Sequence, residues 1–202
     1  DVKATWVECS PETVATFSAV GYFFGRDLHQ HLNTPVGLIQ SCLGGTNASS
    51  WLPKEVLAGN PEFTDIVQEY EKAVTAYPEA KAVYDTALAE HNAKLEKAKA
   101  DGVELSPEER RGPTEPMGPQ HVTRPGALYN AMIAPLAGYA MRGALWYQGE
   151  SNLIGGTNDY DYLNYADKMV ALVAGWRTLW HEGQFPFYFV QIAPFNYGGN
   201  PQ

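Results

Sequence analysis

Gly143-Ala144-Leu145-Trp146-Tyr147-Gln148-Gly149-Glu150-Ser151-Asn152 is the stretch that decides the fold. Residues 143–148 form a short apolar run closing on a glycine, the pattern of a strand buried in a parallel sheet. Downstream, residues 159–180 repeat apolar side chains at helical spacing, with Tyr162, Tyr165, Met169, Leu172, Val173, Trp176 and Leu179 on one side. Phe187-Tyr188-Phe189-Val190-Gln191-Ile192 follows as another run of strand type, and the chain ends soon after at Asn200-Pro201-Gln202. Strand, helix, strand in that order predicts an α/β fold with a doubly wound parallel sheet.

Working upstream, residues 127–136 read as a short helix with a proline-marked end. Near the start, Ser10 is a cap, Pro11 suits a first turn, and Glu12 favours the positive end of the helix dipole. Val14, Phe17, Val20, Phe24 and Leu28 continue one apolar face until Asn33-Thr34-Pro35 stops it. Val36-Gly37-Leu38-Ile39-Gln40-Ser41 then predicts a further buried strand before Gly44-Gly45. Three strands are few beside the roughly four to six of a usual open sheet, so strands are expected to be missing at one or both ends.

Residues 61–125 have a different character. Ala, Glu and Lys dominate the first part, with Phe63, Ile66, Val67, Tyr70 and Val74 on one stripe and Val83, Leu88 and Leu95 on a sparser one. Pro78 predicts a break between two helices, and Asp101-Gly102 an end to the second. Residues 106–125 are proline-rich and charged, as an irregular surface excursion would be. The block reads as an insertion within a single domain, because its apolar content is too thin for a core of its own.

The bulk properties narrow the function. A chain of 202 residues with 45% hydrophobic and 18% charged residues suits one globular domain. A formal charge of -9 argues against a nucleic-acid-binding face. No run approaches the roughly 18 apolar residues of a membrane span, and residues 1–6 do not read as a signal peptide. Two cysteines, Cys9 and Cys42, lack metal-site spacing. They read as a pair joined if the fold allows it, or as two buried thiols. Neither a metal nor a cofactor is expected, and the Gly44-Gly45 loop lacks the lysine of a nucleotide loop.

Ligands of open parallel sheets bind at the carboxyl ends of strands. Two such ends are chemically unusual. In Ser41-Cys42-Leu43-Gly44-Gly45-Thr46-Asn47, paired glycines let backbone N–H groups approach a ligand; a tight strand-to-helix turn would use them too. In the 146–152 string, polar side chains cluster around Gly149, and the buried amides Gln148 and Asn152 must find partners. Those partners are a substrate oxygen or a capping network. Glu150 invites a general-base role, but a carboxylate beside a core strand more often pairs with a cation, and Arg177 is one partner to expect.

Across nearly all of its length the chain resembles the sialate O-acetylesterases, a carbohydrate-esterase branch of the SGNH hydrolases. The resemblance runs through Phe17-Ser18-Ala19-Val20-Gly21-Tyr22-Phe23-Phe24-Gly25-Arg26, Pro35-Val36-Gly37-Leu38-Ile39, Gly44-Gly45-Thr46 and Leu128-Tyr129-Asn130-Ala131-Met132-Ile133. It continues through Trp146-Tyr147-Gln148-Gly149-Glu150-Ser151-Asn152, its most specific string, and Pro186-Phe187-Tyr188-Phe189-Val190-Gln191. It implies a three-layer α/β/α sandwich with a parallel sheet of SGNH or flavodoxin-like type, carrying the 61–125 insertion. It implies acyl transfer from an O-acetylated sugar to water through a serine nucleophile, a histidine base and an orienting aspartate. An oxyanion hole of backbone and amide N–H groups would fall on Gly44 or Gly45 and on Gln148 or Asn152, with Gln148 the first choice. Thr46, Asn130 and Glu150 are the expected substrate contacts.

Two departures matter more than the match. The family's Gly-Gln-Ser-Asn-like nucleophile string and its Asp-x-x-His string are both absent from these residues, and His29, His31, His91, His121 and His181 do not occupy the expected position. His29 and His31 read as cations at the end of the first helix. Ser18, Ser41 and Ser151 do not match the nucleophile position. The chain is therefore expected to be a single core, incomplete at both ends and inactive alone, to be completed by missing segments, by a second chain or by a homodimer. The expected partner is an O-acetylated carbohydrate, with no nucleic acid or membrane, and the substrate implies a secreted or periplasmic location. The alternatives are an acetylxylan esterase of the same superfamily, with Tyr70, Tyr77 and Tyr84 as sugar contacts on a rim, or a carbohydrate-binding module without catalysis.

Overall fold

The computed structural model describes residues 4–153 and 164–194. The N-terminal part of the helix expected over 159–180, including Tyr162, and the chain end at 200–202 lie outside the described residues. Within them, the order is α1 (Pro11–Val14), α2 (Ala19–Leu32), a 3-10 turn (Ala48–Trp51), α3 (Lys54–Gly59), a second 3-10 turn (Pro61–Phe63) and α4 (Thr64–Asp101). Then come α5 (Pro107–Arg110), a π turn (Tyr129–Ile133), a 3-10 turn (Ala134–Leu136), β1 (Ala144–Trp146), α6 (Glu150–Leu153), α7 (Tyr165–Trp180) and β2 (Phe187–Phe189).

β1 and β2 form where the apolar runs predicted strands, and they pair in parallel with Leu145 opposite Tyr188. Side chains of successive strand residues point to opposite faces, and each face meets a helix. On one, Trp176 of α7 lies edge-on to Trp146 at 5.8 Å and to Phe187 at 5.6 Å. On the other, Phe24 of α2 meets the Tyr188 ring at 5.8 Å. This is an α/β arrangement built on a small parallel sheet.

The core gathers around α7. Met169, Leu172, Trp176 and Trp180 face Trp51, Leu52, Leu57, Phe63, Leu128, Ile133, Trp146 and Phe185. Their spacing on α7 follows the 3.6-residue period, which is why the sequence pattern found this helix. Trp51 and Trp146 pack edge to face at 6.1 Å, and buried indole N–H groups find acceptors: Trp176 donates to the Trp51 carbonyl and Trp180 to the Tyr139 carbonyl.

Four expectations need correction. The run at residues 36–41 is not a strand. It lies along helices instead: Leu38 fills the space beside Gly25 of α2, the Gln40 Oε1 accepts the Ser18 N–H, and the Ser41 hydroxyl donates to the Met132 carbonyl. The first helix is two helices. Ser18 caps α2 by accepting the Gly21 N–H, so a second capping residue inside the apolar pattern restarts the helix. The predicted break at Pro78 is absent: α4 runs through it for 38 residues. Proline removes one N–H from the ladder, but only Ala98 of α4 is buried, so water can serve the carbonyl left without a donor. Finally, Cys9 and Cys42 are both free and exposed, neither bridged nor buried.

The end of α4 follows the sequence. Gly102 takes the left-handed conformation at φ 66°, and the Val103 N–H reaches back to the Ala98 carbonyl at 2.9 Å. Residues 103–125 then return along the helix, with Lys94 bonded to Glu109 and Gly118 against the Tyr77 ring. Among the described residues, no helix is long and apolar enough to cross a membrane.

Candidate functional site

The two unusual loop ends of the sequence meet. Gln148 leaves β1, and its Nε2 donates to the Thr46 carbonyl at 2.9 Å and to the Asn152 Oδ1 at 2.6 Å. The Asn152 Oδ1 also accepts the Ala48 N–H at 3.1 Å. Segments about a hundred residues apart are thus joined by a pair of side-chain amides. Local sequence explains the placement: Gly149 ends the strand, and the short α6 turns Asn152 back beneath the 43–48 loop, where the Asn152 N–H bonds to the Gly149 carbonyl.

The glycine loop is braced from within. The Thr46 hydroxyl donates to the Leu43 carbonyl at 2.8 Å and accepts the Trp51 Nε1 at 3.0 Å. Gly45 sits at φ 70°, a left-handed conformation costing a residue with a Cβ about 1–2 kcal/mol. Both Gly44 and Gly45 are exposed, and no atom lies within 4 Å of where a Cβ would stand on either. The open side of the site is therefore the Gly44-Gly45 backbone.

Tyr165, at the start of α7, closes the other side. Its hydroxyl donates to the Gln148 carbonyl at 2.8 Å and approaches the Gln148 Oε1 at 3.1 Å, while the Trp146 Nε1 points at the phenol oxygen at 3.4 Å. Burial pushes the phenol above its ordinary pKa; the Trp146 contact pulls it back, and the Glu150 carboxylate adds to the rise. The sequence pattern places Tyr165 only on the apolar side of a helix. A signal was available: a tyrosine on a buried face needs a partner for its hydroxyl, and the nearest polar string is 146–152.

The remaining expected site residues fall as follows. Thr46 is buried with its hydroxyl spent inside the loop, so it braces rather than offers a free hydroxyl to sugar. Asn130 is exposed on the π turn, whose Met132 carbonyl holds Ser41. Glu150 opens α6 beside Tyr165 and does not pair with Arg177. The guanidinium instead donates to the Phe185 carbonyl at 2.8 Å and lies over the Phe185 ring, because the α7 stripe turns it toward that loop. His29 and His31 do end α2, bonding the Thr34 and Asp27 carbonyls, and His121 bonds Thr123. Among the described residues there is no group of three or more His, Cys, Asp or Glu arranged to hold a metal ion.

Residues 117–200 match the family of carbohydrate esterases described as sialic acid-specific acetylesterases. The small parallel sheet with helices on its faces is an α/β arrangement, and over residues 117–200 the chain is similar to that carbohydrate-esterase family. Over most of its length it is also similar to part of the curated sialate O-acetylesterases. It is 32% identical over 188 residues to the sialate O-acetylesterase of Rattus norvegicus, a match covering 88% of this chain and 30% of that protein. It is 32% identical over 190 residues to that of Mus musculus and 28% identical over 183 residues to that of Homo sapiens. The chain spans 30% or less of the length of these curated relatives.

Proposed function

We propose that this chain supplies the anion-stabilising part of an esterase that removes acetyl groups from O-acetylated sugars, sialic acids foremost. The reading is carried by one observation: the amides of Gln148 and Asn152 hold an open Gly44-Gly45 loop at the carboxyl end of β1. Relatedness to proteins named sialate O-acetylesterases supports the substrate class. The three-layer sandwich of the resembling family, the insertion at 61–125 and a secreted or periplasmic setting belong to the same proposal.

In the proposed reaction a serine oxygen attacks the acetyl carbonyl and its proton passes to a histidine. The carbonyl oxygen becomes an oxyanion, then the C–O bond to the sugar breaks and the sugar oxygen takes the proton. Water repeats the sequence on the acyl-serine and releases acetate. The exposed Gly44 and Gly45 amides are the direct oxyanion donors in this reading, one such donor being worth about 3–4 kcal/mol of barrier. Gln148 and Asn152 act by fixing them, because both Gln148 Nε2 hydrogens are already engaged and Asn152 is only 1% exposed. Asn130, exposed on the π turn, and Glu150, which opens α6, are the sugar contacts in this reading. The nucleophile and its Asp/His partners would come from outside residues 1–202, since the strings that carry them in the resembling family are absent from this sequence; His29, His31 and His121 bond local groups.

The test is acetate release from O-acetylated sialosides by the full-length protein, alongside fluorophosphonate labelling of residues 1–202 alone. Release by the former with no label on the latter is the expected pair of results. No release from any acetylated sugar would overturn the activity. A serine label on residues 1–202 would overturn the placement of the nucleophile.

A further inference from the structure

We propose that Tyr165 is a positioning residue for this site: its hydroxyl fixes the Gln148 side-chain amide, and through it the Thr46 carbonyl that ends the Gly44-Gly45 loop. The inference rests on the esterase reading but concerns a residue outside both loop strings.

The geometry leaves the Gln148 amide one orientation. Reversed, its Oε1 would stand where Nε2 now lies, 2.9 Å from the Thr46 carbonyl oxygen and 2.6 Å from the Asn152 Oδ1, three acceptors facing one another. In the observed orientation the two amide hydrogens are used on those oxygens, and the carbonyl end falls 3.1 Å from the Tyr165 oxygen. The single hydroxyl hydrogen is shared between Oε1 and the Gln148 main-chain carbonyl, 2.8 Å away, so one group bridges backbone and side chain of a single residue. The share of that hydrogen which Oε1 receives polarises the amide and strengthens both bonds from Nε2.

Tyr165 is itself held. Trp146, inside β1, directs its indole N–H at the phenol oxygen, and Gly149 leaves the space that a Cβ would fill 3.5 Å from that oxygen. The result is a continuous chain of donors: Trp146 to Tyr165, Tyr165 to Gln148, Gln148 to Thr46. It links the rigid aromatic core to the loop. Here the hydroxyl is the part in use.

Tyr165→Phe removes that hydroxyl and keeps the ring. In residues 1–202, NMR of the variant should show the Gln148 side-chain amide protons moving and exchanging faster with water. In the full-length protein, kcat for acetate release should fall about tenfold with KM little changed, a split that general loss of structure would not give. A fluorinated tyrosine at position 165, a stronger donor of the same size, should shift the Gln148 amide protons the opposite way; this holds the test open if the Phe variant folds poorly. Unchanged Gln148 signals in both variants overturn the inference whatever the activity does. Signals that move while Gln148→Ala retains full kcat also overturn it, because the amide is then held but positions nothing the reaction uses; failure of the esterase reading itself would show instead as no acetate release by the unsubstituted full-length protein. The two failures are thus told apart by which readout is silent.

Discussion

Asn152 accepts two hydrogen bonds on one buried oxygen and carries the contact between loops that are otherwise independent. Replacement by leucine, of similar size, leaves the Ala48 N–H and a Gln148 hydrogen without that acceptor. An unpaired buried donor costs about 1–3 kcal/mol, so Asn152→Leu should lower the urea midpoint of residues 1–202 by a matching amount; an unmoved midpoint would show that the oxygen contributes nothing to stability. Single residues were also where the sequence spoke most clearly. Gln148 and Asn152 stand out because amides directly after an apolar run must be satisfied. Their partners could not be read, since Thr46 and Ala48 are about a hundred positions away and the pairing depends on how the loops dock. Thr46 illustrates the limit: the triplet marks it as a site residue, but only the Trp51 and Leu43 contacts reveal its hydroxyl turned inward.

Elements were legible where capping chemistry and periodicity agreed. Ser10, read as a cap, forms a reciprocal capping box; Ser106 forms another, and the single turn of α5 that it opens was not read in a stretch expected to be irregular. They misled where one rule was applied alone, as with Pro78 inside α4 or the apolar stripe carried across Ser18. The α5 turn offers a pH test. Glu109 is held down to about 2 from an ordinary 4.5, chiefly by the Ser106 N–H, then by Lys94 and the Ser106 hydroxyl. A depressed carboxylate stabilises the fold above the unfolded value and loses that contribution as pH falls through the folded one. The α5 turn and its tie to Lys94 should therefore be intact above about pH 4.5 and released toward pH 2. Carboxyl carbon shifts of Glu109 followed by NMR would check this; a midpoint near 4.5 would mean the capping box is not formed in solution.

At the scale of the molecule, the order of strand and helix gave the α/β class, and the parallel β1–β2 pair with a helix touching each face agrees with it. The strand expected at 36–41 shows why composition cannot settle sheet membership: an apolar run will line a helix as readily as a strand if a glycine such as Gly25 opens the space. Stability concentrates in the tryptophan cluster, where Trp176 touches Trp146, Trp180 and Phe187 and hydrogen-bonds Trp51. Trp176→Ala should cost about 3–5 kcal/mol and flatten the near-ultraviolet dichroism of the coupled indoles. A loss below about 1 kcal/mol would mean that the site can collapse far more than large-to-small core substitutions usually allow.

The uninterrupted α4 also has a mechanical consequence. At 1.5 Å per residue its 38 residues make a rod of roughly 57 Å, rooted where Phe63 enters the core. Moving the tip near Gly102 by about 10 Å asks for a rotation of only about 10° at the root. A body pressing on the tip therefore acts with leverage. The torque arrives at Glu62, whose carbonyl accepts a hydrogen bond from Asn164, the residue immediately before Tyr165.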